Sequence, residues 1–342
     1  MEPAGIGKRR FRMRRILSGS IRPRGFRLKK RTVPGKKYGG YAVLFFVGLL
    51  LFQSFSGGEE TGKQKEEGSG RSRYTVVRES MAGREEVPLE EYLIGALAGS
   101  VPDDFEPQAC RAQAVILRTN VIYAAQQEGT EAVTAVRLKQ ESLTFQEMRE
   151  KWGGAFEEQY GRLKEAVKET EGQILLYEGT VVELPFFPLS SGKTRQAGEV
   201  WQDQETPYLE SVSCQEDIFA PQYEQEVKMG EGELEEMLGE LFGAESSVSW
   251  EETAFLTDSA GYVTALVWKE KEIPGEVFRE RAGLASSCFT MEKDGDSIWL
   301  ITKGIGHGLG MSQYTANAMA KEGKAYREIL TYFFPACEIM KN

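Results

Sequence analysis

Residues 304–313 read Gly304-Ile305-Gly306-His307-Gly308-Leu309-Gly310-Met311-Ser312-Gln313, with glycine at every second position from 304 to 310. The alternation predicts an extended segment, one face bare and Ile305, His307, Leu309 and Met311 on the other. A bare backbone face lets a ligand or another chain approach closely. A phosphate loop is excluded, because no Gly-Lys-Ser/Thr follows and the spacing is not GxGxxG. His307 is the single histidine of the chain, so neither a three-histidine metal site nor a histidine pair can form. A plainer reading, a glycine bend that packs a core histidine, stands beside the functional one. Directly after this segment the period changes: two short helices are expected, about Ser312–Lys321 and Tyr326–Phe333, separated by Gly323 and stopped by Pro335.

Upstream, the same mixture recurs. Tyr74 to Arg78 is a β-type run, and Pro88 opens a helix whose Leu89, Leu93, Ala96 and Leu97 share a face. Gly99-Ser100-Val101-Pro102 breaks it, and a second helix is expected from about Pro107 to Gln126, preceded by Asp103, Asp104 and Glu106, acids that suit a helix start. Residues 141–170 are charged and helical in character. Gln173–Tyr177 and Thr180–Phe187 read as a hairpin turned at Glu178-Gly179. Residues 225–245 read as a Glu-rich helical insertion on the surface, and strands resume at Ala254–Leu256, Tyr262–Trp268 and Ile298–Thr302. Strands and helices mix without regular alternation, so the fold class is α+β, with short helices and strands in one domain.

Charge divides the chain. Residues 1–37 hold fourteen Lys or Arg and one acid, Glu2, whereas the whole chain of 342 residues sums to −10. Subtraction leaves 28 basic and 51 acidic side chains, or −23, in residues 38–342. Tyr41 to Phe55 (YAVLFFVGLLLFQSF) carries no charge; counted from Gly39 the run is seventeen residues, the short end of a membrane span. No small-residue cleavage pattern follows, which favours a signal anchor over a cleaved signal peptide. The expected organisation is a basic cytoplasmic arm (1–38), a transmembrane signal anchor (39–56), a flexible Gly/Glu/Lys/Ser linker (57–73) and an extracytoplasmic domain (74–342). The arm then lies against anionic lipid head groups, and no nucleic-acid partner is expected.

Two further signals carry chemistry. Arg111 and Arg118, seven apart on the second helix, share a face and suit carboxylates or sugar hydroxyls; solvation of the same pair at a surface is the bland alternative. Ser190-Ser191-Gly192-Lys193-Thr194 is a polar loop with a lysine. The four cysteines, Cys110, Cys214, Cys288 and Cys337, form no CxxC pair and permit one or two disulfides outside the membrane; Cys110, on a buried helix face, suits a plain thiol equally well.

Four blocks in order, PLEEYLIGALAGSVPDDFEPQACRAQAVILRT (88–119), SSGKT (190–194), PYLESVS (207–213) and GHGLGMSQYTANAMAKEGKAYREILTYFFPACEI (306–339), resemble the stage II sporulation protein D and amidase-enhancer family. The resemblance implies a lytic transglycosylase that cuts denuded peptidoglycan strands during engulfment of the forespore. Such chemistry needs a carboxylic acid that protonates the glycosidic oxygen and then, as carboxylate, takes the C6-hydroxyl proton. The family's glutamate sits just before the Met-Pro or Val-Pro turn, where this chain has Ser100. A serine hydroxyl is no general acid at neutral pH. Asp103, Asp104 and Glu106 lie within a turn of that position and are the substitutes to weigh.

By the same resemblance Arg111 stands at a family lysine, Arg118 and Lys193 at basic positions and His307 at the family histidine; with Ser191 and Gln313 they make up the expected substrate-binding set. Phe187 and Pro188 replace a His-Ser pair of many members, so the family's zinc is not expected and no cofactor is assigned. Expected partners are glycan strands, the membrane, a cell-wall amidase or endopeptidase and other engulfment proteins. Two functions follow: a glycan-cleaving enzyme with a relocated acid, or a catalytically reduced glycan-binding scaffold or amidase activator.

Overall fold

Helix Pro107–Glu128 is the element around which the larger of two cores is built. Pro107 starts it, where a missing N–H costs nothing, and Gly129, in the left-handed region at φ 63°, ends it. Small residues dominate, so neighbours close in on every side: fourteen of its twenty-two residues are buried, among them Gln113 and Arg118. Burial therefore runs round most of its circumference, which makes it a central helix. Helices Leu89–Ser100, Phe156–Glu169, Gln313–Lys321 and Tyr326–Phe333 and strand Gln173–Tyr177 pack against it. Leu93, Leu97, Ile116, Leu117, Leu163, Leu330 and Phe334 fill the spaces between them.

The computed structural model describes residues 72–80, 83–201 and 206–341. The basic arm, the expected anchor at 39–56 and all of the linker except its last two residues lie outside the described residues. Among the described residues no helix is long and apolar enough to cross a membrane. The α+β expectation holds for what is described, with short sheets and helices interleaved.

Strand Thr75–Ser80 pairs antiparallel with Gly83–Pro88 and parallel with Ala132–Thr134. The expected hairpin forms between Gln173–Tyr177 and Thr180–Val181, where Glu178 and Gly179 both take positive φ (48° and 76°), the geometry that matches the twist of paired strands. Its second strand is shorter than expected, because Phe186–Phe187 leaves it to pair in parallel with Met311–Ser312. The charged 141–170 stretch is two helices, Phe145–Trp152 and Phe156–Glu169; the first opens on a capping box between Thr144 and Glu147.

Residues 224–303 hold a second core, and here the sequence reading needs correction. Glu224–Gly230 is a strand, paired with Ser297–Lys303, and only Glu231–Phe242 is helical. Nor is this a merely solvated insertion. Leu234, Leu238 and Phe242 on the helix pack with Phe278 of helix Gly275–Arg281 and with Ile298 and Leu300 of strand Ser297–Lys303, since its apolar positions recur at helical spacing beneath the glutamates.

The glycine segment is the second correction. Gly304, Gly306, Gly308 and Gly310 all have φ between 76° and 98°, so the chain winds where alternation suggested an extended strand. Each glycine admits a neighbour that a Cβ would exclude; at Gly310 it would lie 2.0 Å from the Pro185 carbonyl oxygen. All four cysteines are buried and none is paired. Burial pushes the thiols of Cys110 up to about 11 and of Cys214 and Cys337 up to about 12, so they remain protonated.

Candidate functional site

The winding glycine segment presents its histidine inward. The Nδ1 of His307 accepts the Leu309 backbone N–H at 3.1 Å, so the proton sits on Nε2, which donates to the Phe186 carbonyl at 3.1 Å. Burial holds the ring well below its ordinary range, which keeps it neutral. Both nitrogens are thereby occupied by backbone, and Phe187 packs against the ring at 5.5 Å between centroids. This is the arrangement of a packed histidine that locks a glycine bend. It has no free nitrogen for a metal or a proton in flight. Among the described residues no three His, Cys, Asp or Glu side chains converge to hold a metal ion.

The Ser190–Thr194 loop has a defined place. Its Ser190 N–H donates to the Asp217 carboxylate at 2.6 Å, and the same carboxylate accepts from Ser312 Oγ at 2.7 Å and Thr315 Oγ1 at 2.6 Å. Asp217 is fully buried; burial pushes its carboxyl up and the three donors oppose that shift. It fastens the loop to the start of helix Gln313–Lys321, whose N-terminal residue is capped by Ser312. Arg195, 2% exposed, closes the other end of the loop: Nε meets Asp258 at 2.5 Å, Nη1 donates to the His307 carbonyl at 3.1 Å, and the guanidinium lies 4.9 Å from the Tyr262 ring. Between these anchors the loop lines a hollow of about 460 Å³ with Ser211, Ser213, Gln215 and Ile218. Lys193 is the cation of this lining, half-buried and free of any ion pair among the described residues. Ser191 lines it too, its hydroxyl donating to the Ala260 carbonyl at 2.9 Å. Beyond Ile218 stands Phe219, 72% exposed, and the Tyr332 hydroxyl donates to the Ser213 carbonyl at 2.6 Å. Hydroxyls, an amide, one cation and apolar side chains suit a sugar that carries an anionic group.

At the end of helix Leu89–Ser100 the structure joins two expected residues. The Gln313 amide nitrogen donates to the Ser100 carbonyl at 2.8 Å and to Gln113 Oε1 at 3.2 Å. Asp103 pairs with Lys151 at 3.0 Å, and Asp104 is exposed. Glu106 sits at the start of helix Pro107–Glu128; its backbone N–H donates to Asn317 Oδ1 at 2.7 Å, while its half-buried carboxylate enters no ion pair among the described residues.

The two arginines are elsewhere. Arg118, 1% exposed, forks onto Glu90 and also donates to Val167 and Gln173 carbonyls at 3.2 Å each and to Thr170 Oγ1 at 3.4 Å. Its donors are consumed inside the protein. Arg111 pairs with Glu169 on the neighbouring helix. Neither arginine shares a partner with Lys193. Asp217, Arg195 and Asp258 were missed by sequence reading: one acid in an acidic chain gives no signal of its own, although Arg195 directly follows the SSGKT loop.

A family model described as "Stage II sporulation protein" matches residues 77–177. The chain is 33% identical over 271 residues to Stage II sporulation protein D of Bacillus subtilis (strain 168), covering 77% of this chain and 78% of that protein. To Stage II sporulation protein D of Bacillus amyloliquefaciens it is 32% identical over 270 residues, 77% of each. The Amidase enhancer of Bacillus subtilis (strain 168) is 25% identical over 300 residues, 71% of this chain and 39% of that protein.

Proposed function

The chain belongs to the stage II sporulation protein D family, and from that premise we propose that it serves sporulation at the cell wall as a peptidoglycan-binding protein with reduced glycan cleavage. The observation that carries this reading is the hollow beside Lys193, where an unpaired half-buried ammonium stands among serines. A partly desolvated cation holds a carboxylate better than an exposed one, and the lactyl carboxylate of a muramic sugar has the matching charge. Ser100 at the position of the family's acid supports reduced cleavage, because no proton donor of suitable pKa stands there. The likeness to an amidase enhancer supports action beside a cell-wall amidase or endopeptidase, in company with other engulfment proteins. The apolar run 39–56 supports anchorage in the cell membrane with the basic arm inside and the domain outside.

A second reading, cleavage of denuded strands by lytic transglycosylase chemistry during engulfment, draws on Glu106, whose carboxylate is not spent on an ion pair. The detergent-solubilised full-length chain separates the two. Co-sedimentation with amidase-treated cell walls, weakened roughly tenfold by Lys193→Ala at unchanged Tm, is expected. Absence of co-sedimentation by the wild type sinks the binding reading. Robust release of 1,6-anhydro-muropeptides, abolished by Glu106→Gln, would replace reduced cleavage with a relocated acid.

A further inference from the structure

Two stretches of the chain run side by side along the hollow. The Thr194 N–H donates to the Val212 carbonyl at 2.9 Å, and the Cys214 N–H donates to the Gly192 carbonyl at 2.8 Å. Those two bonds flank an antiparallel bridge between Lys193 and Ser213. A pair flanked in this way exchanges no backbone hydrogen bond of its own and is the closer kind. Its Cα atoms stand about 4.5 Å apart, and both side chains leave the same face. Alternation along the strands tells which face that is: Thr194 and Cys214 are fully buried on one side, whereas Lys193 and Ser213 border the hollow on the other.

The hydroxyls of this lining are not equivalent. Ser191 Oγ is spent on the Ala260 carbonyl at 2.9 Å, and Ser211 Oγ on the Thr194 carbonyl at 2.5 Å. Ser213 Oγ enters no hydrogen bond among the described residues. Its backbone is nevertheless fixed, since the Tyr332 hydroxyl donates to the Ser213 carbonyl at 2.6 Å and three donors fasten Asp217 four residues on. Glu199, whose carboxyl is held below its ordinary value by hydrogen bonding to Ser259 and more weakly by the charge of Lys193, is committed to the Ser259 N–H at 3.0 Å. One ammonium and one hydroxyl on neighbouring strands are therefore left facing the hollow unspent.

We propose that Lys193 and Ser213 form a two-point site for a carboxylate, the ammonium taking one oxygen and the Ser213 hydroxyl donating to the other, which makes Ser213 a specificity-determining residue of the hollow. The proposal rests on the reading of the hollow as a glycan site and goes beyond it in assigning the second contact. A single cation matches a single negative charge, and a hydroxyl beside it gives the second oxygen a charge-assisted hydrogen bond. Ile218 supplies an apolar wall for the group that bears the carboxylate; its Cγ2 lies 3.4 Å from where a Cβ would stand on Gly192. In a cell wall such a carboxylate has two sources: the lactyl group of a muramic sugar freed of its stem peptide, and the free end of a stem peptide.

The test is co-sedimentation of the full-length chain, in detergent, with three wall preparations: untreated walls, which carry stem-peptide carboxylates; amidase-treated walls, which carry free lactyl carboxylates; and amidase-treated walls whose carboxylates are capped as methylamides. The wild type is expected to bind at least one uncapped preparation roughly tenfold more tightly than capped walls, and the preparation that it prefers names the source. Ser213→Ala should weaken that binding by roughly tenfold at unchanged Tm, and Ser213→Thr, which keeps the hydroxyl, should restore most of it. On capped walls all variants should bind alike. In a Lys193→Ala background the loss from Ser213→Ala should shrink, because two contacts to one group do not add. If Ser213→Ala binds as the wild type does while Lys193→Ala is weakened, the two-point site is overturned and Lys193 acts alone. Undiminished wild-type binding to capped walls overturns the carboxylate assignment. Failure of the wild type to bind any preparation overturns the glycan reading of the hollow along with it.

Discussion

Arg118 donates from Nε and Nη2 to the two carboxylate oxygens of Glu90, at 2.8 and 2.6 Å, and so joins the first long helix to the second. The guanidinium is 1% exposed, and its remaining donors go to the turn at Val167–Gln173. A planar fork with every donor used is a joint between elements, and lysine cannot reproduce it.

Arg118→Met should therefore lower stability by about 3–5 kcal/mol, the usual cost of breaking a buried pair, by leaving Glu90 without its partner. Chemical denaturation measures the loss, and the folded fraction should bind walls as wild type does. The double variant Arg118→Met with Glu90→Leu should recover much of it. A folded, fully stable Arg118→Met that no longer binds walls would instead return Arg118 to the binding set.

Asp217 is the corresponding joint at the Ser190–Thr194 loop. Asp217→Ala strands the Ser190 N–H and two hydroxyls, and should cost about 3 kcal/mol. Because the loop carries Lys193, wall binding should weaken along with stability. Asp217→Asn keeps one acceptor oxygen and should fall between the two in both urea melts and co-sedimentation.

His307 ties stability to pH, and the sign is determined by its burial. Its folded pKa lies below the ordinary 6.5, so between the two values the unfolded chain binds a proton that the folded chain refuses. Stability is then full above 6.5 and declines as pH falls through and below it. As the chain has one histidine, proton uptake on unfolding near pH 6 is assignable to it. Calorimetry at two pH values should show that uptake in the wild type and its loss in His307→Gln. Equal uptake in both would place the titration elsewhere.

Two glycines with similar dihedrals should respond differently. Gly310 has φ 78° and a Cβ there would press on Pro185; Gly323 has φ 88° and open space around it. Gly323→Ala should cost about 1 kcal/mol, the left-handed strain alone. Gly310→Ala adds overpacking, should exceed about 3 kcal/mol, and should reduce the yield of folded protein. Melting temperatures of the two variants, measured side by side, decide the point.

The α+β class, the helices at 89 and 107, the hairpin at Glu178-Gly179 and the final helix pair were legible because each rests on local signals: Pro at a helix start, periodic leucines, turn residues, glycine after a helix. The family was legible from GHGLGMSQ and the helix pair after it. What the sequence by itself determined is therefore the local conformational menu and the division of charge. Tertiary structure alone decided which polar residues are spent inside. Arg118 and Lys193 look alike in a string of letters, yet one is buried in a five-donor joint and the other stands free beside serines. The glycines likewise read as an extended strand until the carbonyls and rings of Pro185, Phe187 and Tyr262 crowd them into left-handed turns. In both cases the reason is physical: a side chain's partners and a backbone's permitted φ are set by atoms dozens to hundreds of residues away, and no local period encodes them.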